Sequence, residues 1–303
     1  MPARASAAAS AWSYAGVNAG GSASVTSIGS TVERLLVRTW NLFHGNTKPP
    51  GRNAFLDEMI RLLVADAPQV VCLQEVPVWA LRHLAIWSGM TAVGDVARRP
   101  SVGPFPSTPE IGRVLTDFNH GLFRSLFTGQ ANAVLLGGNL QLLEHRRIVL
   151  NPFRFRRAQA RKLGLGRAAR LAWSVERRVC QALRLREGDR TFVLANLHAT
   201  SYAFDKRLAD AELLRAAAFV DGMARPDEPI LLCGDFNLSV RNSRTLGDLM
   251  TPEWGFSGAT PMGIDHLLVR GLHAGERRIW PAARRMCDGV LLSDHAPVEV
   301  DVE

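Results

Sequence analysis

Between Leu35 and His295, short and mostly apolar runs give way abruptly to acids, amides and histidines. Leu35 to Trp40 leads to Asn41, and Val70 to Leu73 leads to Gln74 and Glu75. Phe192 to Ala195 runs into Asn196, Leu197 and His198, and Leu231 to Cys233 runs into Gly234-Asp235-Phe236-Asn237-Leu238. Gly263-Ile264 precedes Asp265 and His266, and Val290 to Leu292 precedes Ser293, Asp294 and His295. Short apolar runs bounded by turn-forming residues predict buried strands. Residues two apart on a strand share a face, so Asp235 and Asn237 are expected to project together. Six strand ends with groups of one chemistry are hard to explain by packing.

The intervening pattern alternates. Asn53 is expected to cap a helix from about Ala54 to Ala65, with Phe55, Leu56, Met59, Ile60, Leu62 and Leu63 as its apolar side. A strand then follows Pro68, which places Asn41 and Glu75 at comparable strand ends. A second helix is predicted from Lys206 to Asp221, stopping at Gly222 just ahead of the strand that carries Asp235. The runs 132–136, 140–144, 148–150 and 175–185 read as antiparallel hairpins, and the stretches from Arg99 to Pro106 and from Ser239 to Met262 as loops. Strand–helix–strand units mixed with hairpins argue for two packed sheets with helices outside.

The polar residues at these ends suit metal-assisted attack on a phosphate ester. Asp235 can orient or deprotonate a water, while Asn237 can donate to an oxygen on which negative charge develops. Glu75, a carboxylate after a buried strand, suits a hard ion, Mg²⁺ or Mn²⁺, better than zinc. Asn41 would hold the metal-bound water or a phosphate oxygen, and Asp294 is a candidate for the metal or for water positioning. His198 would donate to a phosphate oxygen, with Asn196 two residues earlier on the same face. His266 is expected to face away and serve structurally. Taken alone, each of these residues also reads as a turn acid or a strand-end amide.

As an ordered set, Thr-Trp-Asn, Leu-Gln-Glu-Val, Asn-Leu-His, Gly-Asp-Phe-Asn-Leu, Ile-Asp-His and Ser-Asp-His-Ala-Pro-Val resemble the endonuclease/exonuclease/phosphatase superfamily. The likeness runs from about Val37 to Val302. It implies an α/β fold, a four-layer sandwich of two packed mixed β-sheets flanked by helices, like that of deoxyribonuclease I and exonuclease III. It also implies that Glu75 holds the metal and that His295 contacts the scissile phosphate. His295 would pair with Asp265, a carboxylate that fixes the imidazole tautomer and raises its basicity. The expected activity is that of a divalent-metal-dependent phosphoric ester hydrolase, a phosphodiesterase or nuclease cleaving nucleic acid by in-line water attack.

Two alternatives stay open: an inositol-phosphate phosphatase or sphingomyelinase-like phospholipase C, and a catalytically silent binding module. The motifs depart from the specialised branches. Gln74-Glu75-Val76-Pro77 stands where abasic-site enzymes carry Gln-Glu-Thr-Lys, and Gly-Asp-Phe-Asn-Leu-Ser stands where inositol phosphatases carry Gly-Asp-Leu-Asn-Tyr-Arg.

Composition sets the remaining bounds. The chain has 303 residues, 47% of them hydrophobic, enough for a large core. One domain is expected over 31–303, with residues 1–30, rich in Ala, Ser and Gly, as a disordered extension lacking a continuous signal-like apolar core. No apolar run approaches the roughly 20 residues needed to span a bilayer, so no stable membrane insertion is expected. A cytoplasmic monomer is the favoured reading, with an atypical export signal as the alternative. Cys72, Cys180, Cys233 and Cys287 are scattered singly and read as small buried hydrophobes.

The formal charge is +8, and the segment from His145 to Arg178 holds eleven Lys or Arg against one Glu. Such a segment can be an amphipathic helix docked on the domain, a groove for phosphates, or a surface touching anionic lipid. Its densest part, Arg154, Arg156, Arg157 and Arg161, supplies candidate substrate-binding residues.

Overall fold

Strand β1 (Leu35–Asn41) runs parallel to β2 (Val70–Val76), with Asn41 opposite Gln74, so the chain must cross back over the sheet between them. Helix α1 (Leu56–Val64) makes that crossing and buries Leu56, Met59, Ile60 and Leu63. The computed structural model describes residues 34–102, 105–123, 127–175 and 177–303. The extension expected over residues 1–30 lies outside the described residues.

The chain continues through α2 (Leu84–Ser88), β3 (Thr91–Arg98), α3 (Pro109–Phe123), β4 (Gln130–Leu136) and β5 (Gln141–Val149). Then come α4 (Phe153–Lys162), α5 (Arg167–Val175), β6 (Val179–Glu187), β7 (Arg190–His198) and α6 (Arg207–Asp221). The last elements are β8 (Ile230–Asp235), α7 (Arg244–Leu249), β9 (Asp265–Arg270), β10 (Arg278–Ile279) and β11 (Val298–Val302). One sheet has the order β10-β11-β1-β2-β4-β3, the other β9-β8-β7-β6-β5. Each contains one parallel pair, β1 with β2 and β7 with β8, and is otherwise antiparallel.

The strands alternate between two cores, which is why their sequences read as nearly continuous apolar runs. Phe192 and Leu194 of β7 meet Val37, Val70 and Cys72 of the opposite sheet. Val193, Ala195 and Leu197 turn outward onto Leu213, Ala216 and Val220 of α6. On the other flank, Trp40, Val71 and Leu73 pack on Met59, Ile60 and Leu63 of α1. The result is the expected four-layer sandwich, helix on sheet on sheet on helix.

Several local expectations need correction. Helix α1 begins at Leu56 with Phe55 at its cap position, not under an Asn53 cap. The runs 140–144 and 148–150 form one strand, β5, and the preceding β4 lies in the other sheet; four residues after Leu136 carry the chain across. The stretch from Arg99 to Pro106 contains a small antiparallel pair, Ser101–Val102 with Phe105–Pro106. The loop expected from Ser239 to Met262 contains α7, capped by the Ser243 hydroxyl, which accepts from Leu246 N–H at 2.9 Å. Gly263-Ile264 is not a strand, because Asp265 opens β9.

The basic segment folds as α4 and α5, and Leu165, Ala169 and Trp173 pack with Leu208 of α6. Docking on the domain is therefore the reading the structure supports for its apolar side. Cys72, Cys180 and Cys233 are buried and all four cysteines are free thiols. Among the described residues, no helix is long and apolar enough to cross a membrane.

Candidate active site

The two parallel pairs bring four strand termini to one rim. His198 ends β7 directly opposite Asp235 at the end of β8, and Asp265 opens β9 opposite Asp235 on its other side. Gly234 makes this close pairing possible. It has φ +133°, and a Cβ there would lie 1.9 Å from the Leu197 carbonyl oxygen, so only glycine fits. In the other sheet, a β-bulge between Leu73 and Val76 inserts a residue opposite Ala133 and Ala131, and Glu75 takes a left-handed φ of 53°. The bulge re-aims Glu75 at the strand's end. His44, Asn237 and Ser293 also have positive φ, so strained backbone concentrates around this rim.

Asp235 is the hub. Its side chain is 1% exposed. Asn41 Nδ2 donates to Oδ2 at 2.9 Å, and Asn237 backbone N–H donates to Oδ1 at 2.9 Å. Two imidazoles flank the same carboxylate, with His198 Nε2 at 3.5 Å and His295 Nε2 at 3.7 Å from Oδ2.

The two histidines hold different charges. His198 Nδ1 lies 2.9 Å from both Gln130 Nε2 and Arg178 Nη1. Arg178 Nη1 also lies 3.1 Å from Nε2, so the guanidinium borders both ring nitrogens, and Nε2 faces Asp235 and Glu75. Burial, then the charges of Arg178 and His295, push His198 well below the ordinary histidine range and keep it neutral. For His295, burial works the other way from its partners. The hydrogen bond from Nδ1 to Asp265 Oδ2, 2.8 Å, and the charges of Asp265 and Asp235 overcome it and raise the imidazole to about 10. Burial and the charge of Asp235 lift Asp265 to about 6. Near neutral pH the pair is therefore an imidazolium facing a carboxylate.

Glu75 closes the rim on the far side. Its carboxylate is 3.4 Å from His44 Nε2 and 3.8 Å from His198 Nε2. Burial, with a contribution from Asp235, raises it to about 7 against the pull of Arg178. A carboxylate that reluctant to ionise, with a second anionic acid nearby, has donor chemistry suited to a hard divalent ion. Asp235, Asp265 and His295 also present ligand atoms within 4.8 Å of one another. In that cluster both imidazole nitrogens already lie between carboxylates, an arrangement for holding and moving a proton.

The structure brings Glu75, Asp235, Asp265, His198 and His295 together. Asn41, expected to hold the metal-bound water or a phosphate oxygen, accepts from Phe43 N–H through Oδ1, donates to Asp235 and also hydrogen-bonds Glu75, so it stands between the two acids. Asn237 does not share a strand face with Asp235. It lies past the strand, where its Nδ2 donates to the Ala199 carbonyl at 3.0 Å. Asn196 is not at the substrate surface: it is fully buried and bridges the sheets, donating to the carbonyls of Leu73 and Ala133 and accepting from Gln74 Nε2. Asp294 is exposed and acts on His295 and Asp265 only through its charge. His266 spends both ring nitrogens on backbone at Thr260 and Leu238, in keeping with a structural role.

Arg156, Arg157 and Arg161 line one cavity on the docked helices, and Arg154 is not among its lining residues. His44, Gln130 and Arg178 escaped sequence reasoning, since none ends an apolar run of its own. Only Arg178, the last residue of the basic segment, carried any signal. Ser293, which follows the last apolar run, had no role assigned from sequence. Its hydroxyl donates to the Asn41 carbonyl at 2.7 Å and accepts from His295 N–H at 3.1 Å, linking the last motif to the first.

The sequence matches the model of the Endonuclease/Exonuclease/phosphatase family over residues 39–295. The chain belongs to that family, whose members include nucleases and phosphatases. No curated protein sequence matches it. Among solved structures, an endonuclease/exonuclease/phosphatase from Bacteroides vulgatus is similar at TM-score 0.62 and 14% identity, covering 89% of this chain and 99% of that one. The human Nocturnin catalytic domain with bound sulfate anion gives 0.59 and 16%, covering 89% and 93%. A mannosyl-6-phosphatase from Bacteroides thetaiotaomicron gives 0.59 and 14%, covering 89% and 99%. At these identities the likeness shows the fold.

Proposed function

We propose that residues 31–303 form one catalytic domain, a divalent-metal-dependent phosphodiesterase that hydrolyses nucleic acid by in-line attack of water. The observation that carries this reading is Asp235, held by Asn41 and Asn237 between a neutral and a charged imidazole. A carboxylate fixed by two donors has one productive orientation, from which it accepts the proton of an attacking water. His198 and the His295 imidazolium supply donors for the phosphate oxygens as charge builds on them, and Asp265 holds the second ring in place. Burial and the charge of Arg178, itself 3% exposed, keep His198 neutral, and Arg178 adds positive charge behind it.

Glu75 is the residue that would hold Mg²⁺ or Mn²⁺, with Asp235 adding to the negative field it experiences. When bound, the ion supplies Lewis-acid screening of the phosphate oxygens. Nucleic acid as the substrate is supported by the formal charge of +8 and by the arginines that line a hollow on α4 and α5.

The experiment is a hydrolysis panel of bis(p-nitrophenyl) phosphate, plasmid, single-stranded DNA, RNA, inositol phosphates and sphingomyelin, with Mg²⁺, Mn²⁺ or chelator. Cation-dependent cleavage of the simple diester and of a nucleic acid is expected. Full activity in excess chelator, or cleavage restricted to monoesters or sphingomyelin, would overturn the reading.

A further inference from the structure

Helices α4 and α5 are fixed beside the rim and carry their charge outward. Trp173 Nε1 donates to Glu212 at 2.6 Å, and the same carboxylate accepts from Thr200 N–H at 2.6 Å, two residues after His198. Arg156, Arg157, Arg161 and Arg170 line a cavity of about 400 Å³ with Phe153 and Trp173, and no carboxylate lines it among the described residues. A second hollow, about 280 Å³, shares Phe153 and Arg156 with the first and reaches Arg177. A third, about 680 Å³, includes Arg177 and adds Arg147, Arg98 and Arg99. The first two hollows share Phe153, Arg156 and Ser174, and Arg177 borders both the second and the third, so we treat the three as one groove.

Along the chain, the hollows and the active site are one residue apart. Arg178 is buried and touches the His198 ring, while its neighbour Arg177 is exposed in the groove. The guanidinium groups of Arg99, Arg157, Arg161 and Arg177 have no ion-pair or hydrogen-bond partner among the described residues. Arg147 pairs with Asp95 at 3.5 Å, and the four unpaired guanidinium groups along the hollows are a site for a chain of anions.

We propose that this groove is a binding track for a single-stranded polynucleotide, which passes Arg177 on its way to the site at His198. The inference rests on the phosphodiesterase reading for the purpose of the track. The charge lies in linked hollows, where a linear polymer fits and a flat bilayer surface does not reach. Phe153, 67% exposed at the junction of the first two hollows, offers a face for base stacking. A duplex keeps its bases in the helical stack, so it has nothing to place on that ring or in the hollows.

The test is fluorescence anisotropy in chelator, with a labelled 20-nucleotide single strand, the matching duplex, and phosphatidylglycerol vesicles as competitor. Arg99, Arg157, Arg161 and Arg177 are changed together, once to Gln and once to Lys, since none gives up a hydrogen bond. The glutamine variant should bind the single strand at least about tenfold more weakly, with the log–log salt slope smaller by roughly 0.7 per arginine removed, and the lysine variant should recover the slope. An unchanged slope, tighter binding of the duplex, or loss of vesicle binding alone would each overturn the track. Hydrolysis of bis(p-nitrophenyl) phosphate by the unaltered protein tests the chemistry separately. Arginine-dependent strand binding without hydrolysis removes the catalytic reading but not the track, and hydrolysis with arginine-independent binding does the reverse.

Discussion

Asp265 stands behind His295, its Oδ2 2.8 Å from Nδ1, while the other imidazole nitrogen points at Asp235 3.7 Å away. The histidine is thus aimed from a strand in one sheet by an acid about thirty residues earlier in the chain, and its charge depends on that acid. Replacing Asp265 by Asn should lower kcat by about 10²–10⁴-fold. Because the carboxylate holds His295 near 10, the loss should also pull the alkaline limb of the pH–kcat profile downward. A pH profile of the two proteins decides it; an unmoved limb would leave Asp265 a purely structural role.

Glu75 links metal binding to protons. Its folded-state value of about 7 lies above the ordinary 4.5, so without a cation its contribution to stability is present below about 4.5 and is lost as pH rises through 7. A bound cation needs the ionised form, so Mn²⁺ affinity should rise between pH 6 and 8, and the cation should raise Tm more at pH 8 than at pH 5. Glu75→Gln should weaken binding and flatten both dependences while leaving the fold intact. Calorimetric titration without substrate, alongside thermal melts, gives the answer; equal affinities of both proteins at pH 8 would remove Glu75 from the metal site.

Asp235→Asn keeps the shape of the hub but removes its basicity. The expected loss in kcat is about 10²–10⁴-fold, with little change in substrate affinity. Loss of alignment adds to this, because Asn41 and Asn237 would each face an amide in place of a carboxylate. A fall of less than tenfold in single-turnover rate would return Asp235 to the structural residues.

Away from the site, the fully buried Arg38 is held by Glu299 at 2.7 Å and by a two-pronged contact with Asp66. The Arg38 hydrogen bonds depress Asp66 from 3.8 to about 2. Its stabilisation is therefore complete above about 3.8 and lost as pH falls through 2. With Asp66 half exposed, the effect is at most about 1 kcal/mol. Asp66→Asn should lower Tm at pH 6 and make it less sensitive to acid between pH 4 and 2. Parallel melts of the two proteins across that range check it; identical acid slopes would mean that Asp66 titrates alike folded and unfolded.

What the sequence determined by itself was the architecture and the strand-end residues that meet at the rim. Apolar runs that stay hydrophobic on both faces require two cores per sheet, and that requirement is written locally, in the composition of each strand. The polar residues at their ends followed for the same reason, since Glu75, His198, Asp235 and His295 break runs that packing would otherwise continue. The division of labour among these residues was decided only in three dimensions. Asn41 and Asn196 have the same side chain after similar runs, yet one aims Asp235 and the other braces the sheets from inside. Which role an amide takes depends on the carbonyls and carboxylates that the opposite strand brings within 3 Å, and chain spacing does not encode that. The left-handed turns at Glu75 and Asn237 likewise broke the alternation from which strand faces were read. His44, Gln130 and Arg178 reach the site from loops and from another strand, because folding moves a charge through space in ways that no local pattern records.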